Sequence, residues 1–188
     1  MKALKYIIPI VVVLLIVVMW IVGFYNGVVE LSAQVDNQWA QVETQYQRRF
    51  DLIPNLVNSV KGMLTQEQKV FGDIADARTR YSGAATVNEK AEAATQVEGA
   101  LGRLLVIMEN YPELKSNETV QNLMVQLEGT ENRISVERKR FNDAVKTYNV
   151  KIKRFPNNLL AGMFGFDARV FFEAVEGAET APEVNLIQ

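Results

Sequence analysis

Cysteine and histidine are both absent from these 188 residues. Those two absences remove thiol nucleophiles, disulfides, the usual zinc ligand sets and the most common general base. They leave the compartment open, because a cysteine-free chain suits reducing and oxidising surroundings alike. Charge of one sign is also lacking. Twenty basic residues stand against 22 acidic ones, a formal balance of -2, so no overall field draws in nucleic acid. No GxxxxGK phosphate loop occurs, and Gly162 and Gly165 sit among aromatic residues instead. No segment alternates apolar and polar residues as a half-buried strand would.

What the chain does have is a long uncharged run, YIIPIVVVLLIVVMWIVGF, from Tyr6 to Phe24. Nineteen residues fit the hydrocarbon core of about 30 Å, and the Ile, Val and Leu content favours insertion by several kcal/mol on the order of the translocon scale. A cleaved signal peptide would have a shorter apolar region closely followed by a small-x-small site. Here Leu31-Ser32-Ala33 is distant and poor. The reading is therefore a short flank at 1–5 and one transmembrane helix at 6–25. Tyr6 marks its first interface, and Trp20, Phe24 and Tyr25 form the aromatic belt at the other. Lys2 and Lys5 precede the span, and no basic residue follows it until Arg48. The positive-inside rule then leaves the N-terminus in the cytoplasm and the domain outside it, in periplasm or extracellular space.

From Val28 the apolar residues Leu31, Val35, Trp39, Val42, Tyr46, Phe50, Ile53, Val57, Val60 and Leu64 recur at helical spacing. They also repeat every eleven residues, which keeps the stripe on one side of a nearly straight helix. The span is thus predicted to run on into the domain as a stalk, kinked but unbroken at Pro54. Leu64, Phe71, Ile74 and Tyr81 carry the stripe on to a first turn at Ser82-Gly83. Thr86 with Glu89 resembles a capping box opening the next helix, which Asn110 and Pro112 stop. Ser116 or Asn117 caps a third long helix, whose stripe runs from Leu123 to Phe155 and ends before Pro156. Asn149, Asn157 and Asn158 are read with Phe155 and Pro156 as its stop and cap. The fold class is all-α: one transmembrane helix continuing into an antiparallel bundle of three to four long helices spanning 26–173. Residues 174–188, small and polar, read as a disordered tail.

A last apolar segment holds Phe155, Leu159, Met163, Phe164, Phe166, Phe171 and Phe172. It could cap the core, face an oligomer or partner, or touch the membrane. With helices running up, down and up, it ends far from the bilayer, which disfavours membrane contact.

Three stretches carry a resemblance: Tyr25-Asn26, QRRFDLIPNLVNSVKG from Gln47 to Gly62, and LEGTENRISVERKRFNDAVKTYNVKIKRFPNNLLAGMFGF from Leu127 to Phe166. Together they resemble the LemA family of bacterial membrane proteins. The resemblance implies a helical bundle on an N-terminal transmembrane helix. One relative belongs to the magnetosome membrane and others are encoded near membrane proteases, which implies a membrane-organising or adaptor role.

Arg48, Arg49, Asp51, Pro54 and Asn55 on the first helix, and Glu128, Glu131, Asn132 and Arg138 on the third, are the motif residues. They form a solvated face, or Arg49 and Asp51 pair with the third helix and fix its register. A carboxylate site at Glu128 and Glu131 has neither a nucleophile nor metal-ligand spacing beside it. The leading expectation is a non-enzymatic, membrane-anchored scaffold that self-associates. It uses no cofactor or metal, and its partners are the bilayer, copies of itself and a possible membrane protein. An accessory subunit of a membrane enzyme such as a protease is the alternative.

Overall fold

In the computed structural model the described residues are 4–62, 64 and 67–172, so the predicted tail at 174–188 and the start of the N-terminal flank lie outside them. Six helices follow in order, α1 Leu4–Lys61, α2 Gln68–Gly83, α3 Val87–Glu109, α4 Pro112–Lys115, α5 Glu118–Lys153 and α6 Asn157–Phe164. Among the described residues there is no strand, and the fold class is all-α as expected.

Helix α1 passes through Pro54 without a break. A proline offers no N–H to the carbonyl one turn earlier, so one helical bond is lost while the flanking ones hold. Two sequence expectations fail nearby. The helix stops at Lys61, with α2 beginning only at Gln68, so the stripe to Gly83 is two helices and not one. Lys61 in the last turn suits the negative end of the helix dipole. The apolar spacing from Leu64 to Phe71 spans two helical turns and hid the break. Past Pro54 the buried face also shifts, with Leu56 fully buried and Val57 only partly so.

The later helix starts are as read. Thr86 and Glu89 form both bonds of a capping box. Backbone and side-chain bonds from Thr86, with one from the Ala85 amide, hold the Glu89 carboxyl below its ordinary range. Asn117 accepts from the Val120 amide at 3.2 Å and so caps α5. The short α4, with proline in its tolerant first turn, was not foreseen.

The chain divides into two compact units, one of residues up to Gln41 with Lys139–Phe171, the other of Val42–Arg138 with Phe172. In the first, α1 and α5 are antiparallel: Trp39 lies 5.3 Å from Phe141 between ring centroids, and Gly27 lies beside Lys151. Phe24, Val28, Val35, Phe141, Val145, Tyr148 and Ile152 are among its buried residues. Every side chain from Ile7 to Trp20 is exposed, although this stretch is long and apolar enough to cross a membrane. Such a run is unfit to face water and fit to face lipid.

The second unit is an up-down-up-down four-helix bundle. Helices α2 and α3 form a hairpin in which Arg80 donates to Gln96 and Arg103 to Asp73. Helix α3 runs parallel to α1, since Lys90 pairs with Glu43 and Glu98 with Arg49. Helix α5 is antiparallel to α1, with Arg138 beside Tyr46 and Glu131 beside Arg49. Small residues on α3, Ala91, Ala93, Ala94 and Ala100, are buried.

Candidate functional site

The second unit holds a cluster of charges between three helices. Arg49 on α1, whose side chain is 9% exposed, pairs with Glu131 of α5 and lies 3.6 Å from Glu98 of α3. Arg138 of α5 pairs with the same Glu98, donates through Nε to the Tyr46 hydroxyl at 3.0 Å, and stands 4.5 Å over the ring of Phe172. Glu98 thus lies between two arginines. Burial opposes charge on Arg138, but Tyr46 and Glu98 outweigh it and raise its affinity for the proton. The cluster ties α1, α3 and α5 together at one level, and a polar layer of this kind can fix helix register.

Two buried tyrosines adjoin it. Tyr81 lies 4.7 Å from Phe50 and 5.2 Å from Tyr46 between centroids. Burial pushes both hydroxyls well above the ordinary value of 10.0, Glu98 adding to the effect at Tyr46 and Glu43 at Tyr81. The Tyr81 hydroxyl has no hydrogen-bond partner among the protein atoms, whereas the Tyr46 hydroxyl accepts from Arg138. The same substitution should therefore act oppositely at the two sites. Tyr81→Phe is expected to leave urea-induced unfolding at pH 7 unchanged or displaced upward by up to about 1 kcal/mol, and Tyr46→Phe to cost about 1–2 kcal/mol. Both hydroxyls hold their proton more tightly when folded, so their contribution is complete below pH 10 and is lost as pH rises through 10. Each substitution should flatten the alkaline loss of stability by about 1.4 kcal/mol per pH unit. Equal effects of the two variants at pH 7 would refute the assignment.

Next to the cluster, Arg48, Asp51, Leu52, Val125, Gln126, Gly129, Thr130 and Arg133 line an open cleft of about 550 Å³ between α1 and α5. The two family stretches face each other across it. Asp51 accepts from Gln47 one turn back at 2.9 Å, which corrects the expectation that it pairs with the third helix: at an exposed position the local partner is closer. Glu128 is exposed, and Asn55 and Asn132 are exposed and belong to neither cluster nor cleft. Among the described residues no group of three or more metal-ligating side chains converges.

In the first unit the aromatic segment returns to the C-terminal end of the apolar run. Phe166 lies 6.4 Å from Phe24 and 5.5 Å from Tyr25, and Phe164 lies 5.3 Å from Tyr25. This overturns the expectation that the segment ends far from the anchor. The unforeseen break before Gln68 adds one reversal to the chain's path, so α5 descends where the sequence reading had it ascend. Gly165, in the left-handed conformation at φ 72°, ends α6, and the Phe166 amide donates to the Ala161 carbonyl at 2.9 Å. Phe155 and Met163 are 76% and 78% exposed, Leu159, Phe164 and Phe171 are exposed too, and Phe172 is buried. Asn149 is no helix stop. It is buried within α5, where Nδ2 donates to the Arg169 carbonyl at 2.8 Å and Oδ1 accepts from the Arg169 amide at 2.9 Å.

Sequence reasoning missed Glu98 and the role of Asn149. Glu98 lies four residues after Ala94 and three before Leu101, both buried, so its place on the apolar face of α3 was the available signal.

A long exposed apolar helix carried into a charge-laced helical bundle defines a membrane-anchored helical protein. The LemA family profile matches residues 38–186, and the chain belongs to the LemA family. Magnetosome proteins MamQ 1 and MamQ 2 of Paramagnetospirillum magneticum are each 28% identical to it, over 83% of this chain and 67% of theirs. Magnetosome protein MamQ of Magnetospirillum gryphiswaldense is 27% identical with the same coverage.

Proposed function

We propose that this protein is a non-enzymatic scaffold or adaptor that self-associates at the bacterial inner membrane and presents its bundle to other proteins. The observation that carries this reading is the use of the family residues. Arg49, Glu131 and Arg138 are occupied in tying helices together, while Arg48, Asp51 and Arg133 line an open cleft beside the exposed Val125. Charged groups around an exposed apolar residue suit docking of another protein surface. The likeness to magnetosome proteins favours a part in an assembled structure over turnover of a small molecule. Chemical crosslinking in native membranes, followed by gentle detergent extraction and native mass spectrometry, should return a multimer of this chain. A lone protomer with no co-purifying protein would sink the proposal. A stoichiometric foreign membrane enzyme in its place would support the accessory-subunit reading.

The two lysines before the span support an N-terminus in the cytoplasm and a bundle outside it. Without native cysteines, Glu92→Cys, at an exposed position on α3, carries the sole thiol. It is expected to react with a membrane-impermeant maleimide in spheroplasts without lysis, and reaction only after lysis would reverse the orientation.

A further inference from the structure

Helix α6 buries only Leu160 and Ala161. Its other apolar side chains, Leu159, Met163 and Phe164, point outward, and Phe155 before it and Val170 and Phe171 after it are exposed as well. A water-facing apolar surface of this kind is costly, and contiguous exposed patches mark a contact. What covers this one is argued from its place. Through Phe164 and Phe166 it rests on Phe24 and Tyr25, the residues at which the apolar run from Ile7 ends.

Charge points the same way. Between Asp143 and Asp167 the sequence has no acidic residue and carries Lys146, Lys151, Lys153 and Arg154. Lys153 and Arg154 are exposed, directly before Phe155, and Lys151 lies against Gly27, three residues past Phe24. Basic residues at the edge of an outward apolar face make an element suited to anionic headgroups and the upper acyl chains.

We propose that α6, with Phe155 and the Val170-Phe171 pair, forms a second membrane contact. This amphipathic collar lies in the headgroup region of the bilayer that α1 spans, its apolar side chains submerged and Lys153 and Arg154 on anionic lipid phosphates. It rests on the reading of α1 as a spanning helix. The collar holds the foot of the stalk by a peripheral contact, so the first unit meets the membrane on a surface and not through a single rod.

The test uses full-length protein in vesicles of phosphatidylcholine and phosphatidylglycerol, with one cysteine per variant carrying an environment-sensitive fluorophore. Leu14→Cys reports the span, Met163→Cys and Leu159→Cys the collar, and Glu92→Cys, exposed on α3, the bundle. Lipids brominated or spin-labelled near the headgroup should quench labels at 159 and 163 with a blue-shifted emission, leave the label at 92 unaffected, and act on 14 only when the quencher sits deep. Met163 and Leu159 are exposed, so neither change should disturb folding. Quenching at 14 without any at 159 and 163 overturns the collar and keeps the anchor. Absence of quenching at 14 overturns the spanning reading itself. Labels at 159 and 163 shielded from both lipid quencher and aqueous iodide would mean that protein, such as a second copy, covers the face, and the proposal fails. Phe155→Asp combined with Met163→Asp should abolish the quenching at 159, and its persistence would count against the proposal.

Discussion

Glu98→Ala is expected to lower the unfolding free energy of the full-length protein by about 2 kcal/mol, less than is lost from a fully buried ion pair because the Glu98 side chain is itself 25% exposed. Glu98 stands between Arg49 and Arg138, whose side chains are 9% and 22% exposed. Its removal leaves two guanidinium groups facing each other across a partly dry gap. Arg49 retains Glu131, but that carboxylate is 42% exposed and water weakens its pull. Arg138 retains the Tyr46 hydroxyl and the Phe172 ring, neither of which carries a compensating charge. Glu98→Gln keeps the shape and one acceptor, so it should lose about half as much. A second replacement at the cluster supplies the control. Arg138→Met in the Glu98→Ala background removes the stranded charge and keeps an apolar stem, and the double variant should be more stable than the sum of the single losses implies, by about 1 kcal/mol or more. Urea unfolding in detergent, followed by circular dichroism, reads all three. A loss from Glu98→Ala within about 0.5 kcal/mol of zero would place the cluster with ordinary surface pairs.

The same cluster shows where sequence reading works and where it stops. Arg49 was legible as a group that could pair with the third helix because the apolar stripe of α1 continues on either side of it, while the residue it meets was left open. The capping box at Thr86, the Asn117 cap and the stop before Pro156 were legible because each is a local bond or a missing one. Glu98 was passed over, although its spacing from Ala94 and Leu101 put it on the apolar face of α3, because its partners lie 49 and 40 residues away and no local bond marks it. The break between Lys61 and Gln68 escaped because Leu64 and Phe71 keep helical phase across it. That omission had a consequence well beyond its length: one uncounted reversal sent the aromatic segment to the wrong end of the domain. Periodicity reports which face is buried and is silent on direction, which only the count of turns supplies.

Asn149→Ala is expected to release the chain from Phe166 to Phe171 while leaving α5 intact. One buried side chain satisfies both backbone groups of Arg169, the amide at 2.9 Å and the carbonyl at 2.8 Å. Its loss orphans two polar groups at once, at about 1–3 kcal/mol each where they stay buried. Arg169 is itself exposed, so the chain can escape that cost by moving its backbone into water, and local release is the cheaper outcome. Tyr148 donates to the Asp167 carbonyl at 3.1 Å, and Arg169 reaches Ser32 at 3.0 Å and Asp36 at 3.3 Å on α1. Each of these is a single bond, and Tyr148→Phe should cost about 1 kcal/mol. Asn149→Asp separates the two halves of the clamp: its carboxylate still accepts from the Arg169 amide but meets the carbonyl as a repelling acceptor. It should behave like alanine at neutral pH and recover part of the lost protection as the carboxyl is protonated in acid, where it regains a donor. Hydrogen exchange resolved to peptides over 161–172 is the measurement, with peptides over 139–152 as the internal reference. Protection lost equally in both sets would mean that Asn149 supports helix α5 itself. Loss confined to the first set establishes that the return of the aromatic segment to Phe24 and Tyr25 depends on one amide side chain in the middle of a helix.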